Sequence, residues 1–315
     1  MKVIDFHCDF LLRAWENAEV TFSLENENVQ INAMRLDKSS IALQTFAIFV
    51  PPLTHPSAKF SVALDMVDIF YRQVISQPRW KIILNQEDLE ELMNLNQHGA
   101  LLSLEGAEAI QGNLVHLRTL YRLGVRAVGL TWNYQNEAAS GALESSGGGL
   151  SQFGKELVQE MNRLHMIVDV SHLNERGFWE VVELSKEPVI ASHSNCWTIH
   201  PHLRNLKDEQ LKALFELNGV IGMVFYPPFV SNKEVVKIID IIRHIEHACE
   251  LGGENHIGFG SDFDGVDSFV TGLEHPGHFY HLINELLKHY SESQVKKFSY
   301  LNWYHLLQRV LPKKN

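Results

Sequence analysis

Short apolar runs recur along the chain, and most are apolar at successive positions rather than at alternate ones. We read strands at Val3–His7, Ala42–Val50, Ala100–Glu105, Ala127–Trp132, Ile167–His172, Val189–His193, Val220–Tyr226 and Ile257–Asp262. Runs that are apolar on both faces suit a buried parallel sheet rather than a half-exposed antiparallel one. Helical periodicity fills the gaps. Gly154–His165 carries Leu157, Val158, Met161 and Leu164 as a stripe, and Asn174–Leu184 opens on an N-capping asparagine. Lys207–Leu217 carries Leu211, Leu214 and Phe215, and Val235–Leu251 ends at the C-capping pair Gly252-Gly253. Eight strands alternating with helices predict a single (β/α)₈ barrel over residues 1–315. The least regular stretch, Glu137–Ser151, is expected to be a flexible loop or lid, or a plain disordered connection. His244, His247, His281 and His289 fall on helices and are expected at the surface.

Composition narrows the classes. The chain has 315 residues, 45% hydrophobic and 21% charged, with a formal net charge of -11. That is globular, and it argues against a nucleic-acid or anionic-membrane surface. Cys8, Cys196 and Cys249 are few, odd in number and far apart, so no disulfide framework is expected. Strand residues begin at Lys2 without a basic, apolar leader, and no apolar run reaches the roughly 18 residues of a membrane span. The expected compartment is the cytoplasm.

The chemistry is carried by polar residues at the strand ends. His7 and Asp9 lie two apart, on one face of the first strand. Later runs end in Glu105, in Trp132 and Asn133, in His172, in His193 and in Asp262. A barrel gathers all these ends at one mouth. His7, Asp9, Glu105, His172 and His193 supply three imidazoles and two carboxylates, more than one tetrahedral ion needs. They suit two ions with Glu105 shared between them, holding a hydroxide and polarising a carbonyl. Asp262 is then free to move a proton to a leaving amine. Any one strand-end histidine is explained as well by an ordinary hydrogen bond; five ligand-type residues at strand ends are not. Asp5 and Asp169 read as structural, Cys8 as packing, and Asp264 as a turn residue or a substitute for Asp262. The reading is a metal-dependent hydrolase. The alternatives are a barrel amidohydrolase acting on a cyclic amide or lactone, which would more often open on His-x-His, and a catalytically silent binding protein.

The chain resembles the membrane dipeptidase (renal dipeptidase) family of zinc peptidases over nearly its whole length. The resemblance rests on Asp5-Phe6-His7-Cys8-Asp9, Leu104-Glu105-Gly106-Ala107-Glu108, Asp169-Val170-Ser171-His172, Ser192-His193-Ser194, Arg204-Asn205 and the run from Gly258 to Gly265. It implies a two-zinc centre, with Co²⁺ or Mn²⁺ also able to serve, that hydrolyses dipeptides, including those with a C-terminal D-residue. His7 and Asp9 would bind one ion, His172 and His193 the other, and Glu105 would bridge. Asp262 matches the acid/base aspartate, and Arg204 the arginine that receives the substrate's carboxylate, with Tyr226 assisting. The family also implies a homodimer. Two departures stand out. Trp132 occupies the place of a histidine that mammalian members carry to steady the tetrahedral oxygen, leaving Trp132 or Asn133 as donor, and Ala107 replaces a glycine. The missing leader and anchor tail point to a bacterial, cytoplasmic relative.

Overall fold

The computed structural model describes residues 1–23, 26–94 and 97–314. Among the described residues nine strands form, all parallel: β1 (Val3–Asp5), β2 (Ile41–Phe49), β3 (Trp80–Ile82), β4 (His98–Glu105), β5 (Val125–Gly129), β6 (Ile167–Asp169), β7 (Val189–Ser194), β8 (Val220–Met223) and β9 (Ile257–Phe259). Each apolar run of the sequence contributes one barrel strand. The circle closes where β2 pairs with β4, from Leu43 opposite Gly99 to Phe49 opposite Glu105, and where Asp5 of β1 meets Phe259 of β9. Eight strands therefore make the (β/α)₈ barrel expected from the sequence.

The ninth, β3, was not expected. It pairs with the first residues of β4, on the edge that β5 takes over at Leu102. Three residues, one of them Lys81, leave no periodic signal to read. Most strands also end earlier than the apolar runs. His172 and Asp262 each have φ of 67°. A non-glycine residue in the left-handed region cannot continue a strand, so the backbone turns out of the ladder at the residues that carry the chemistry.

Ile4, Leu43, Leu101, Ala127, Ile167, Ile190 and Val220, from near the strand beginnings, fill the barrel interior. The C-terminal helix Asn302–Val310 plugs that end with Trp303, Leu306 and Leu307. Trp303 stacks on Phe6 at 4.0 Å between centroids and donates its indole N–H to Phe259 O at 3.1 Å. A second, larger apolar layer lies between strands and helices, with Leu157, Phe178, Leu214 and Ile245 fully buried. The expected caps form: Asn174 Oδ1 accepts from Gly177 N–H at 2.8 Å, and Gly252 takes φ 93° after helix Ile238–Glu250.

The Glu137–Ser151 stretch forms no helix or strand and carries two isolated bridges, Ala139 to Leu150 and Gly141 to Leu173. One expectation changes. His244 is fully buried rather than at the surface. It accepts from Cys196 N–H through Nδ1 at 3.1 Å and donates through Nε2 to Val230 O at 2.9 Å. It thereby ties the segments after β7 and β8, and burial drops its pKa to about 4. No helix among the described residues is long and apolar enough to cross a membrane.

Candidate active site

The mouth of the barrel brings His7, Asp9, Glu105, His172, His193 and Asp262 into one cluster. Glu105 stands at its centre. Its Oε1 lies 2.9 Å from His172 Nε2 and 3.5 Å from His193 Nε2, while Oε2 lies 3.5 Å from His7 Nε2. Around His7 Nε2, Asp9 Oδ2 stands at 3.3 Å and Asp262 Oδ1 at 3.8 Å. His172 Nε2 and His193 Nε2 are 2.8 Å apart. His7, Asp9, His172 and His193 are all buried.

Two buried aspartates hold these ends in place. Asp5 accepts from Ser261 N–H at 2.8 Å and from Ser261 Oγ at 2.6 Å, which fixes the residue before Asp262. Asp169 accepts from Ser171 N–H at 2.9 Å and Ser192 N–H at 3.0 Å, and from the Ser192 hydroxyl, which fixes the residues before His172 and His193. Past the last ladder residues, Asp262 N–H donates to His7 O at 3.3 Å and Asp9 N–H to Phe263 O at 2.8 Å. The structural reading of Asp5 and Asp169 thus acquires a role: both support the cluster from beneath.

The donor set fits divalent cations. His7 Nε2 is buried without a well-formed hydrogen bond, and carboxylate oxygens of Asp9 and Glu105 stand 3.3 and 3.5 Å from it, an arrangement that either a proton or a cation would satisfy. His193 Nδ1 contacts Ser192 Oγ at 2.8 Å, and His172 Nδ1 contacts Asn133 Oδ1 at 2.8 Å. The Ser192 hydroxyl gives its proton to Asp169 and an amide oxygen only accepts, so both Nδ1 atoms carry the proton. Both Nε2 atoms then present lone pairs to each other and to Glu105. A cation resolves that arrangement. A tetrahedral ion with ligands about 2.0–2.1 Å away sets its ligand atoms about 3.3 Å apart, close to the separations around both edges of Glu105. His7, Glu105 and His193 form one group with metal-ligand spacing, and His7, Asp9 and Asp262 another. Gly265 keeps the second group open, since a Cβ there would overlap Asp9 Oδ2 and Asp262 Oδ1.

The electrostatics match. Burial opposes charge on His7, but the Glu105 and Asp9 carboxylates outweigh it and raise its pKa well above the imidazole range. Burial lowers His172 to about 3, with Arg204 adding to the effect, and burial likewise takes His193 far down. Burial drives Asp262 well above the carboxylate range despite the opposing charge on His7. Burial also raises Asp264, to about 7; it accepts from the N–H groups of Gln30 at 2.6 Å and Ile31 at 3.1 Å and points away from the cluster as a loop anchor.

A cavity of about 310 Å³ stands over the cluster, lined by Asp9, Glu105, Trp132, Asn133, Tyr226 and Asp262 among others. Trp132 forms an aromatic wall, edge-on to Phe49 at 5.3 Å and Tyr134 at 5.9 Å. Asn133 turns its amide oxygen to His172 rather than to the cavity centre. Half-buried Tyr226 is hydrogen-bonded to Asp267. Arg204 does not line this cavity but an adjoining one that it shares with His172; it is buried, donating to His193 O at 3.0 Å, with Phe229 4.9 Å from the Tyr226 ring and 5.4 Å from the guanidinium. Its Nε has no protein partner. Sequence reasoning missed Asn133 as a support of His172, because nothing in Leu130-Thr131-Trp132-Asn133 shows which strand end the amide faces.

A parallel barrel whose strand ends converge on histidines and carboxylates defines a metal-dependent hydrolase. Residues 1–314 match the family described as membrane dipeptidase, peptidase family M19, and the chain belongs to that family. It is 31% identical over 310 residues, 91% of this chain and 74% of the other, to an uncharacterized dipeptidase of Schizosaccharomyces pombe. It superposes on a crystal structure of a metallopeptidase of family M19, dipeptidase AC, with a TM-score of 0.92 at 31% identity, covering 99% of each chain. A metallopeptidase from Rhodobacter sphaeroides, liganded with a phosphinate mimic of the dipeptide L-Ala-D-Ala, superposes with a TM-score of 0.91 at 29% identity, covering 98% of this chain and 99% of that one.

Proposed function

We propose that this metallopeptidase is a two-zinc dipeptidase that accepts dipeptides with a C-terminal D-residue. The observation that carries the reading is the two-sided placement of Glu105, one oxygen toward His172 and His193 and the other toward His7. On this reading His7 and Asp9 would hold one ion and His172 and His193 the other, with Glu105 available to both. Bound there, divalent ions activate water and polarise the peptide carbonyl.

The chain's own residues do the rest. Asp262, its side chain 14% exposed, is favoured in its protonated form by burial and would pass that proton to the leaving amine. Arg204 stays cationic at neutral pH, since burial lowers its pKa only to about 10, and it would receive the substrate's terminal carboxylate from the adjoining cavity, which it lines together with His172. Trp132 and Phe49 exclude water from one side of the cavity. The L-Ala-D-Ala mimic bound by the Rhodobacter sphaeroides relative supports the stereochemical part. A panel of L,L- and L,D-dipeptides, with zinc supplied, tests it. Turnover of L,D-dipeptides is expected; a zinc-loaded protein that cleaves no dipeptide would overturn the reading.

A further inference from the structure

The Asn133–His172 hydrogen bond is gripped from outside by three consecutive residues of the Glu137–Ser151 stretch. Ala142 N–H donates to His172 O at 2.6 Å, and Leu143 N–H donates to Asn133 O at 2.9 Å. Gly141 N–H donates to Tyr134 O at 3.2 Å, and the same residue bridges to Leu173. One short segment therefore binds the main chain at both ends of a single side-chain bond, the 2.8 Å contact between Asn133 Oδ1 and His172 Nδ1. The fit is close: a Cβ at Gly141 would overlap Trp132 O and the carbonyl carbon of Asn133. His172 itself sits at φ 67°, a conformation that its surroundings must impose.

We propose that Gly141–Leu143 and Asn133 form a clamp that sets the ring of His172 and thereby the affinity of the His172–His193 side of the centre for its ion. The inference rests on the reading of His172 as a metal ligand. Asn133 is then a positioning residue, which acts through His172. It fixes the tautomer by accepting the Nδ1 proton, and it fixes the plane of the ring, so that Nε2 faces Glu105 and His193. The clamp holds the backbone of both partners, so a change at Gly141 and a change at Asn133 disturb one and the same bond. A lid over the cavity would behave otherwise, altering substrate access and leaving metal affinity untouched.

The test is Zn²⁺ binding to the metal-free full-length protein, measured by competition with a chromophoric chelator. Asn133→Ala and Gly141→Ala are each expected to weaken one zinc by about 10- to 100-fold and leave the other unchanged. Asn133→Asp keeps an acceptor for Nδ1 and is expected to bind both ions as tightly as the wild type. In the double variant Asn133→Ala/Gly141→Ala the losses should not multiply, because one hydrogen bond is lost once. If Gly141→Ala fails to fold, Asn133→Ala and Asn133→Asp decide alone. Asn133→Ala that keeps both zinc ions at wild-type affinity while losing turnover would overturn the clamp and make Asn133 a donor to substrate. A wild-type protein that binds no zinc would instead overturn the reading of His172.

Discussion

His172 Nε2 and His193 Nε2 face each other at 2.8 Å, with the Nδ1 proton of each ring committed elsewhere, to Asn133 and to Ser192. Two lone pairs at that distance repel unless a cation lies between them. The same cation relieves Glu105 Oε1, 2.9 Å from His172.

Protons and metal should compete for the centre. The Glu105 and Asp9 carboxylates overcome burial and raise the pKa of His7, so at neutral pH the metal-free protein carries a proton on this ligand. Metal must displace it. Affinity for Zn²⁺ is therefore expected to rise with pH until the raised pKa of His7 is passed, with protons released on binding. Calorimetry in buffers of different ionisation enthalpy checks this. A binding enthalpy independent of buffer would contradict it.

Asp262→Asn removes the proposed proton carrier and leaves the outlines of the cavity intact. Turnover is expected to fall by about 10²- to 10⁴-fold, the usual worth of general acid–base catalysis. Bound metal should stay near the wild-type level. Unchanged kcat would take Asp262 out of the mechanism.

Gly265→Ala probes the space between the two carboxylates. Its Cβ would displace Asp9 Oδ2 and Asp262 Oδ1. Activity should drop at least tenfold, with a weaker hold on the ion at His7. The backbone of Gly265 is exposed, so the loss of activity should exceed any loss of stability. Equal losses of activity and fold stability would contradict the assignment.

His244 predicts an acid-sensitive fold. Its pKa falls from 6.5 to about 4 when it is buried. As pH drops below 6.5 the unfolded chain takes up a proton that the folded protein refuses until about pH 4, so stability falls across that window. The loss amounts to roughly 3 kcal/mol, from 1.36 kcal/mol per pKa unit. His244→Gln can keep both hydrogen bonds, to Cys196 N–H and Val230 O, and does not titrate. Urea unfolding at pH 7 and pH 5 should show a smaller loss in the variant than in the wild type; equal losses would refute the point.

The barrel was legible in the sequence because its strands are buried on both faces, and each therefore reads as an unbroken apolar run. Strand β3 was not, being three residues on an edge outside the circle. The approach of His7, Asp9, Glu105, His172, His193 and Asp262 could be anticipated, since a parallel barrel brings strand ends to one mouth. What holds them could not. The Asp169–Ser192–His193 relay joins residues 169 and 192, and the clamp on His172 starts at Gly141; neither contact leaves a periodic trace. His244 was misjudged for a related reason. It lies on an amphipathic helix, and burial of a polar ring there depends on Cys196 and Val230, partners supplied by distant loops.

Two ions are proposed to act together around Glu105. Titrating the metal-free protein with Zn²⁺ while following hydrolysis of an L,D-dipeptide tests this most directly. Activity should rise and level off at two zinc ions per chain. Full activity at one ion, or none at any ratio, would contradict the account.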